Sequence, residues 1–227
     1  MKFLAIETSS NACSVAVQNG DDVIEDHVVK PREHTKILLP MIRQSLNEAG
    51  LAPADLDAVI LGNGPGSFIG MRIGASVAQG ICYGAALKIV PVSSLAVVAA
   101  EAMQVSGAEN ISVAQDARMG EVYVGLFKKD SDGLPQCQGE EKICPIGAIA
   151  GIEPGSVAAG LGWQKYDELI SANKGSISAF CEVFEPRACF LLAIGINDHK
   201  AGRAISPEKL LPAYLRTKVA EKQQSAS

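Results

Sequence analysis

Short apolar runs separated by polar turns open the chain and predict a meander of strands. The runs cover residues 3–6, 13–17 and 23–29, and the turns between them are rich in Ser, Asn and Gly. Runs of this length with turn residues between them are typical of β-strands joined as hairpins. The first three strands are therefore predicted to pair antiparallel.

A helix is predicted over residues 33–49, with Gly50 as its C-terminal stop. The positions that recur at helical spacing are Leu38, Leu39, Ile42, Leu46 and Ala49. Ile37 and Met41 widen the apolar arc beyond what covering one sheet needs. Two interpretations stay open. Either the helix is buried deeply in the core of its own fold, or the widened arc forms a second surface that binds a partner. Pro40 lies either in the first turn or at a kink.

Strands and helices then alternate. The pattern predicts a strand over 57–61, a helix over 72–85, a strand over 88–92 and a helix over 93–105. In the helix over 72–85, Ile73, Val77 and Ile81 are predicted to form the apolar line. Its many Gly, Ala and Ser residues would let another helix approach, either within the fold or from a partner. Three meander strands, helix, strand, helix, strand is the order of a ribonuclease-H-like half.

The pattern restarts in the second half of the chain. A strand over 111–114, a polar turn over 115–120 and a strand over 121–127 repeat the opening hairpin. Asp116 then takes the place that Glu7 holds in the first hairpin, which suggests duplicated halves facing each other across a cleft. Beyond this hairpin, residues 133–155 are predicted to be irregular, 189–197 to be helical and 218–227 to be a frayed tail.

A glycine-rich loop at residues 62–70 stands between a predicted strand and a predicted helix. This arrangement points backbone N–H groups at an anion, and Ser67 can cap the helix. A tight connection without a ligand is the alternative, and the local residues favour neither. The loop lacks the third small residue of the dinucleotide fingerprint and the Lys of a P-loop. It also lacks a Gly-x-Ser-x-Gly elbow, so no hydrolase nucleophile is expected.

Composition narrows the class of protein. The chain has 227 residues, 48% of them hydrophobic and 20% charged, with a net charge of −5 and a pI of about 5.3. Non-specific nucleic-acid binding by this chain alone is not expected, because it needs a basic face. The six cysteines form no Cys-x-x-Cys pair and predict a reduced, cytoplasmic protein without disulfides. No apolar run predicts a signal peptide or a membrane span.

Residues 64–74 resemble the Gly-Pro-Gly-Ser-Phe-Thr-Gly-Leu-Arg-Ile-Gly signature of the TsaB family, also called YeaZ. The resemblance continues at residues 31–35, 116–123, 160–163 and 214–216, so it spans nearly the whole chain. Two positions depart from the pattern. Glu7 stands where Asp is usual and Ile69 where Thr is usual, and both fall where an ATPase of this fold needs phosphate and metal geometry. The departures therefore speak against catalysis by this chain.

The resemblance implies an α/β fold of the actin/sugar-kinase/Hsp70-like class (ASKHA), built from two ribonuclease-H-like lobes. The first lobe is expected over residues 1–104, with the segment of about 205–227 packing back on it. The second, smaller lobe is expected over residues 105–204.

The resemblance also implies a role as a non-catalytic partner of TsaD. TsaD is the catalytic paralogue that transfers the threonylcarbamoyl group to adenosine-37 of tRNAs reading ANN codons. TsaE, an ATPase, is the third subunit, and TsaC or an equivalent makes the threonylcarbamoyl-AMP donor. The implied protein is cytoplasmic, is not bound to membranes and meets tRNA only indirectly. No cofactor of its own is implied, and ATP or ADP in the assembled complex stays open.

The resemblance and the motifs together give two sets of candidate residues. Nucleotide or anion binding is assigned to Glu7, Thr8, Ser9, Gly64, Gly66, Ser67, Gly70 and Asp116. The contact with TsaD, and a homodimer through the same face when TsaD is absent, is assigned to Ile37, Met41, Ala75, Ala78, Gln79 and Cys82. No catalytic residue and no metal ligand is assigned, because His27, His34 and His199 lie too far apart in sequence for a paired-histidine motif.

Two rival functions are weighed against this one. The first is a free-standing ATPase or small-molecule kinase that uses Glu7 or Asp116 with the glycine-rich loop. The second is a peptidase, since relatives are grouped with glycoproteases, but the sequence offers no nucleophile and base pair for it.

Overall fold

Residues 1–216 are described by the structure, a computed structural model, and they form two β-sheets with helices between and outside them. The first sheet contains β1 (Lys2–Glu7), β2 (Ala12–Asn19), β3 (Asp22–Val29), β4 (Ala58–Gly62) and β5 (Ile89–Val92). Its order is β3-β2-β1-β4-β5, in which β1, β2 and β3 pair antiparallel while β4 pairs parallel with β1 and β5. The predicted meander is confirmed. The predicted tail at 218–227 lies outside the described residues.

The second sheet is built around a long hairpin. Its strands are β6 (Asn110–Arg118), β7 (Glu121–Lys129), β8 (Pro135–Cys137), β9 (Lys142–Pro145), β10 (Ser156–Ala159) and β11 (Ile177–Phe180). The order is β11-β10-β6-β7-β8, and β9 also pairs with β7. The restart of the pattern is confirmed, but the prediction that 133–155 is irregular was wrong. Strands β8 and β9 are short and mixed in polarity, so their pairing with β7 rather than their own pattern defines them.

Six α-helices complete the two lobes. They are α1 (His34–Glu48), α2 (Phe68–Ala85), α3 (Ser94–Ser106), α4 (Leu161–Lys165), α5 (Asp167–Asn173) and α6 (Ala188–Lys200). Helices α1 and α2 cover the outer face of the first sheet, and α4 and α5 belong to the core on the outer face of the second. None of the helices in residues 1–216 is both long enough and apolar enough to cross a membrane.

Helices α3 and α6 lie between the sheets, and each covers the sheet of the other half. Helix α6 packs on strands β1, β2, β4 and β5, whereas α3 packs on β6, β7, β8 and β10. Residues 94–99 of α3 are all buried, as expected for a helix enclosed on every side. Helix α6 lies within the range predicted for the second lobe, 105–204, although it packs on the first sheet, and the core between the two sheets is shared.

The first outer helix, α1, buries a different stripe from the predicted one. Leu38, Met41, Ile42 and Leu46 face the sheet, while Leu39 is 46% exposed. Met41 therefore belongs to the core and not to a second surface. Pro40 lies inside the helix, past its first turn. The predicted stop at Gly50 is confirmed by its left-handed φ of +65°.

The second outer helix, α2, is oriented opposite to the prediction. Its buried face consists of the small residues Gly74, Ala75, Ala78 and Cys82, and the predicted apolar line of Ile73, Val77 and Ile81 is partly exposed. The reason is close approach, since a Cβ at Gly74 would collide with the Thr8 side chain. Small residues thus bring the helix down onto its own sheet and leave its branched residues towards solvent.

Two helix glycines give a matched test of this packing. We expect Gly195→Ala in α6 to lower the free energy of unfolding by about 1–2 kcal/mol, because the new Cβ would collide with the Ile60 side chain. Gly80→Ala in α2 meets no atom within 4 Å and should raise that free energy by about 0.5–1 kcal/mol through helix propensity. Urea unfolding measures both, and equal effects of the two variants would contradict the close packing of α6 on β4.

Candidate functional site

A cleft of about 480 Å³ opens between the two halves. One side is formed by the β1–β2 turn and the glycine-rich loop, and the other by the end of β6 and its turn into β7. The last described residues, Ala213 to Arg216, cross its mouth. The predicted cleft between duplicated hairpins is therefore present.

The glycine-rich loop packs on the chain's own β1–β2 turn. The Ser67 amide donates to the Ser9 carbonyl at 2.6 Å, and the Thr8 hydroxyl donates to the Gly70 carbonyl at 2.8 Å. A Cβ at Gly66 would collide with the Ser9 carbonyl, and one at Gly70 would collide with that of Thr8. These glycines are required by backbone-to-backbone contact within the protein, which is the tight connection that the sequence left open.

Ser67 is the N-cap of the helix that follows the loop, as predicted, although α2 begins at Phe68 and not at residue 72. The Gly70 amide donates to the Ser67 hydroxyl oxygen at 3.2 Å. This bond satisfies one of the free N–H groups at the start of α2. The start of the helix is thus held by its own cap and by the contact with residues 8 and 9.

Glu7 lies behind the loop and is fully buried. Its carboxylate accepts hydrogen bonds from the Ser9 amide at 2.6 Å and from the Ser94 hydroxyl at 2.7 Å. Ser94 in turn accepts from the Gly64 amide at 3.2 Å. Burial raises the pKa of Glu7, and these hydrogen bonds only partly oppose that shift. The carboxylate therefore supports the loop from inside and does not face the cleft.

Asp116 lines the cleft, but both its oxygens are engaged. Lys165 donates to one at 2.5 Å, and the Tyr166 hydroxyl donates to the other at 2.7 Å. The Arg118 amide adds a third bond at 2.8 Å. Burial would raise the pKa of Asp116, but the hydrogen bonds from Lys165 and Tyr166 outweigh it and the pKa is lowered. Asp116 is therefore a charged residue that holds α4 to the end of β6.

The predicted nucleotide set divides into two groups. Four members line the cleft: Ser9, Gly66, Ser67 and Asp116. Four lie behind its wall: Glu7, Thr8, Gly64 and Gly70. The polar atoms and close contacts of this second group are used within the fold, and the assignment of the set to a nucleotide or anion stays a prediction.

Several lining residues were missed, among them Ser10, Asn11, Gln115, Arg118, Glu185, Tyr214 and Arg216. Glu185 comes from the loop before α6, and burial raises its pKa although Ser10 and Asn11 donate hydrogen bonds to it. Nothing local in the sequence marks this residue. Tyr214 and Arg216 lie in a motif that carries the family resemblance, but that motif does not tell where the chain end lies.

The histidines do not form a metal site. Across residues 1–216, no three His, Cys, Asp or Glu side chains lie close enough together to hold an ion. His34 begins α1, and its Nε2 lies 3.0 Å from the Ala12 carbonyl. His27 on β3 and His199 in the last turn of α6 are partly buried, and His199 stacks edge-on against Phe3.

A second concave surface, here called the α1–α2 groove, lies between the two outer helices. It has a volume of about 370 Å³ and a largely apolar lining that includes Leu38, Leu39, Ile69, Ile73 and Val77. Leu39 is 46% exposed and Ile69 is 69% exposed. Contiguous exposed apolar side chains of this kind are typical of protein interaction sites.

The predicted partner residues need correction against this surface. Met41, Ala75, Ala78 and Cys82 are buried in the core, because they bring α1 and α2 onto the first sheet. Ile37 and Gln79 remain partly exposed. The residues that the sequence assigned to the core or left unassigned, Leu39, Ile69, Ile73 and Val77, are the ones that line the groove.

Comparison with known proteins places the chain among tRNA-modification proteins. The family model for TsaD, tRNA N6-adenosine threonylcarbamoyltransferase, matches residues 28–178. The tRNA threonylcarbamoyladenosine biosynthesis protein TsaB of Escherichia coli K12 is 36% identical over 98% of this chain and 97% of its own length. The protein of the same name from Haemophilus influenzae is 34% identical over 96% and 95%.

Solved structures agree with this placement. The structure of YeaZ from Pseudomonas aeruginosa superposes with a TM-score of 0.86 and is 34% identical, covering 94% of this chain and 99% of that one. A second Pseudomonas aeruginosa structure, described as similar to peptidase YEAZ, has a TM-score of 0.88. The predicted ASKHA-type α/β fold of two lobes is confirmed.

The buried Glu7 carboxylate should leave a signature in the pH dependence of stability. Its pKa is raised on folding, so the stability linked to it is complete below the unfolded pKa and is lost as pH rises through the folded pKa. We therefore expect the unfolding free energy of Glu7→Gln to rise relative to that of wild type as the pH increases above the ordinary pKa of a glutamate. Urea unfolding followed by Trp163 fluorescence measures this difference.

Glu208→Gln is the control of opposite sign. Glu208 is an exposed residue whose pKa is lowered by a hydrogen bond from Ser206. The unfolding free energy of wild type should therefore rise relative to that of Glu208→Gln as pH rises. A difference between wild type and Glu7→Gln that does not change with pH would contradict the buried, desolvated carboxylate.

Proposed function

Because this chain belongs to the TsaB family, we propose that it takes part in forming N6-threonylcarbamoyladenosine at adenosine-37 of tRNAs reading ANN codons. In this proposal it acts as a non-catalytic subunit that binds the paralogue TsaD. The relatives that carry the TsaB name cover nearly the whole chain, which supports the same biosynthetic role here. The site of action would be the cytoplasm.

The state of the two acidic residues supports a non-catalytic role. Glu7 is enclosed behind the loop, where it accepts from Ser9 and Ser94. Asp116 is held by Lys165 and Tyr166. A general base or a phosphate-positioning carboxylate must reach the reacting group in the cleft. Neither carboxylate is free to do so in this arrangement.

The single observation that carries the docking proposal is the α1–α2 groove. Leu39 and Ile69 expose large apolar side chains beside Ile73 and Val77, and no part of residues 1–216 covers them. Burial of such side chains is a main source of binding free energy in protein interfaces. The groove therefore suits a partner that supplies apolar helix faces.

TsaD fits this requirement because it is related to the chain. The TsaD family model matches residues 28–178, a span that includes both α1 and α2. A paralogue with corresponding helices can pack its own pair against this pair, as in a two-fold contact between like surfaces. A second copy of this chain offers the same pair, so we propose that it forms a homodimer through the groove when TsaD is absent.

The roles of the other components follow from the net charge of this chain and from its family membership. The chain carries a net charge of −5, which disfavours direct binding of the tRNA backbone. We propose that tRNA is held by TsaD, that TsaE supplies ATPase activity, and that ATP or ADP enters only in the assembled complex. The cleft then serves the assembly and not an independent kinase.

The docking proposal predicts the effect of one charge in the groove. We expect Leu39→Glu to weaken binding to purified TsaD by about 30-fold or more, because the carboxylate would be buried without a partner in the interface. Isothermal titration calorimetry measures the affinity. Val105→Glu is the matched control, since Val105 is 66% exposed at the far end of α3, and it should bind TsaD as wild type does.

Reconstitution tests whether docking matters for the reaction. TsaD, TsaE, tRNA, threonine, bicarbonate, ATP and the donor-forming enzyme are mixed with this chain, with either variant, or without it, and modified adenosine is measured. Omission and Leu39→Glu should both abolish or strongly reduce the product, while Val105→Glu should not. If Leu39→Glu binds TsaD at wild-type affinity, the groove is not the docking surface.

A further inference from the structure

Residues 205–216, here called the strap, run from the first sheet to the second. Ile205 pairs with Ile89 at the edge of the first sheet. The Pro207 carbonyl accepts a hydrogen bond from Gln79 of α2 at 2.9 Å, and Leu210 is buried in the core beneath α1 and α2. The beginning of the strap is therefore part of the first lobe.

The middle of the strap is fixed to the glycine-rich loop and to α2. Asn63 donates from its side chain to the Leu211 carbonyl at 3.0 Å, and its own carbonyl accepts from the Ala213 amide at 3.0 Å. Arg72 donates to the Tyr214 hydroxyl at 2.9 Å. These three bonds bring the strap across the mouth of the cleft.

Arg216 lies on the side of the cleft that the second sheet forms, and it contacts the β6–β7 turn at three points. Its guanidinium donates to the Ala117 carbonyl at 2.9 Å, pairs with the Glu121 carboxylate at 2.6 Å and lies 3.8 Å from the Met119 sulfur. The side chain of Arg216 is only 21% exposed. One side chain of the strap thus contacts both strands of the hairpin and the turn between them.

The turn that Arg216 holds has an unusual backbone. Arg118 and Met119 have φ angles of +62° and +55°, in the left-handed region that non-glycine residues rarely adopt. Gly120 follows with φ of +74°. Two consecutive strained residues persist only where their surroundings hold them. The hydrogen bond from the Arg118 amide to Asp116 is one such restraint, the bond from the Ile146 amide to the Gly120 carbonyl at 3.0 Å is a second, and Arg216 is a third.

We propose that the strap is a latch between the lobes, in which Arg216 holds the strained β6–β7 turn against the first lobe at the mouth of the cleft. Arg216 is a positioning residue, since it acts on the turn and not on a ligand. The latch is a property of this chain alone and does not depend on docking to TsaD, so the two proposals fail separately.

Hydrogen exchange of the full chain tests the latch. Arg216→Ala should raise the exchange rate of backbone amides in 116–123 about fivefold or more, as expected when a charged hydrogen-bonded contact is lost from a local opening unit. Trypsin cleavage after Arg118 should accelerate to a similar extent. Amides of α1 should be unchanged.

Two further variants separate the latch from a general loss of stability. Arg203→Ala removes another ion pair, with Asp198, that does not reach the second sheet, and it should leave the turn as in wild type. Met119→Gly relieves the strained residue and should bring the exchange of Arg216→Ala back towards wild type.

The exchange rate of amides in the β6–β7 turn decides whether the latch proposal holds. Arg216→Lys is measured in parallel because it keeps the charge, but an ammonium cannot reproduce the guanidinium fork, so its turn should exchange at an intermediate rate. If the turn exchanges within twofold of wild type in both Arg216 variants, or if α1 opens as much as the turn does, the latch proposal is overturned.

Discussion

The close contact between the glycine-rich loop and residues 8 and 9 is the constraint on which the rest of the first lobe depends. Glu7 supports this contact from behind, and Gly66 and Gly70 allow it because neither has a Cβ. The loop leads directly into α2, so the same contact sets the depth at which that helix lies on the sheet. It also uses the backbone groups that the sequence made available to an anion. Those groups therefore serve a structural contact within the first lobe.

A second constraint is the shared layer formed by α3 and α6. Strand β1 alternates Phe3 and Ala5 towards these helices with Leu4 and Ile6 towards α1 and α2, so both faces of the first sheet are buried. The start of α6 is fastened to the meander, since the Ala188 amide donates to Ser14 and the Cys189 amide to Glu25. The two lobes therefore share one core. The relative position of their sheets depends on α3 and α6, which lie between them.

Local patterns predicted the meander, the Ser67 cap of α2 and the end of α1 at Gly50, because neighbouring residues determine these features. The orientation of the helices was less accessible. An apolar arc that covers half of a helix does not show which part meets the sheet, so Leu39 and Met41 were exchanged. Glu185 could not be found at all, since only the packing of the whole chain brings its loop to the cleft. Strands β8 and β9 exist because β7 offers them partners, which no local pattern records.

The orientation of α2 explains why the cleft and the α1–α2 groove meet on one helix. Most of the residues that face inward are small, and the large side chains of Phe68 and Ile69 near its start lie at the surface, whereas Met71 is buried. Phe68 and Ile69 line the cleft, and Ile69 also lines the groove. Arg72 lines the groove while its guanidinium lies 3.4 Å from the Phe68 ring centroid and donates to Tyr214 of the strap. Because residues at the start of α2 contact both the cleft and the α1–α2 groove, a displacement of α2 at one of these surfaces also moves residues at the other.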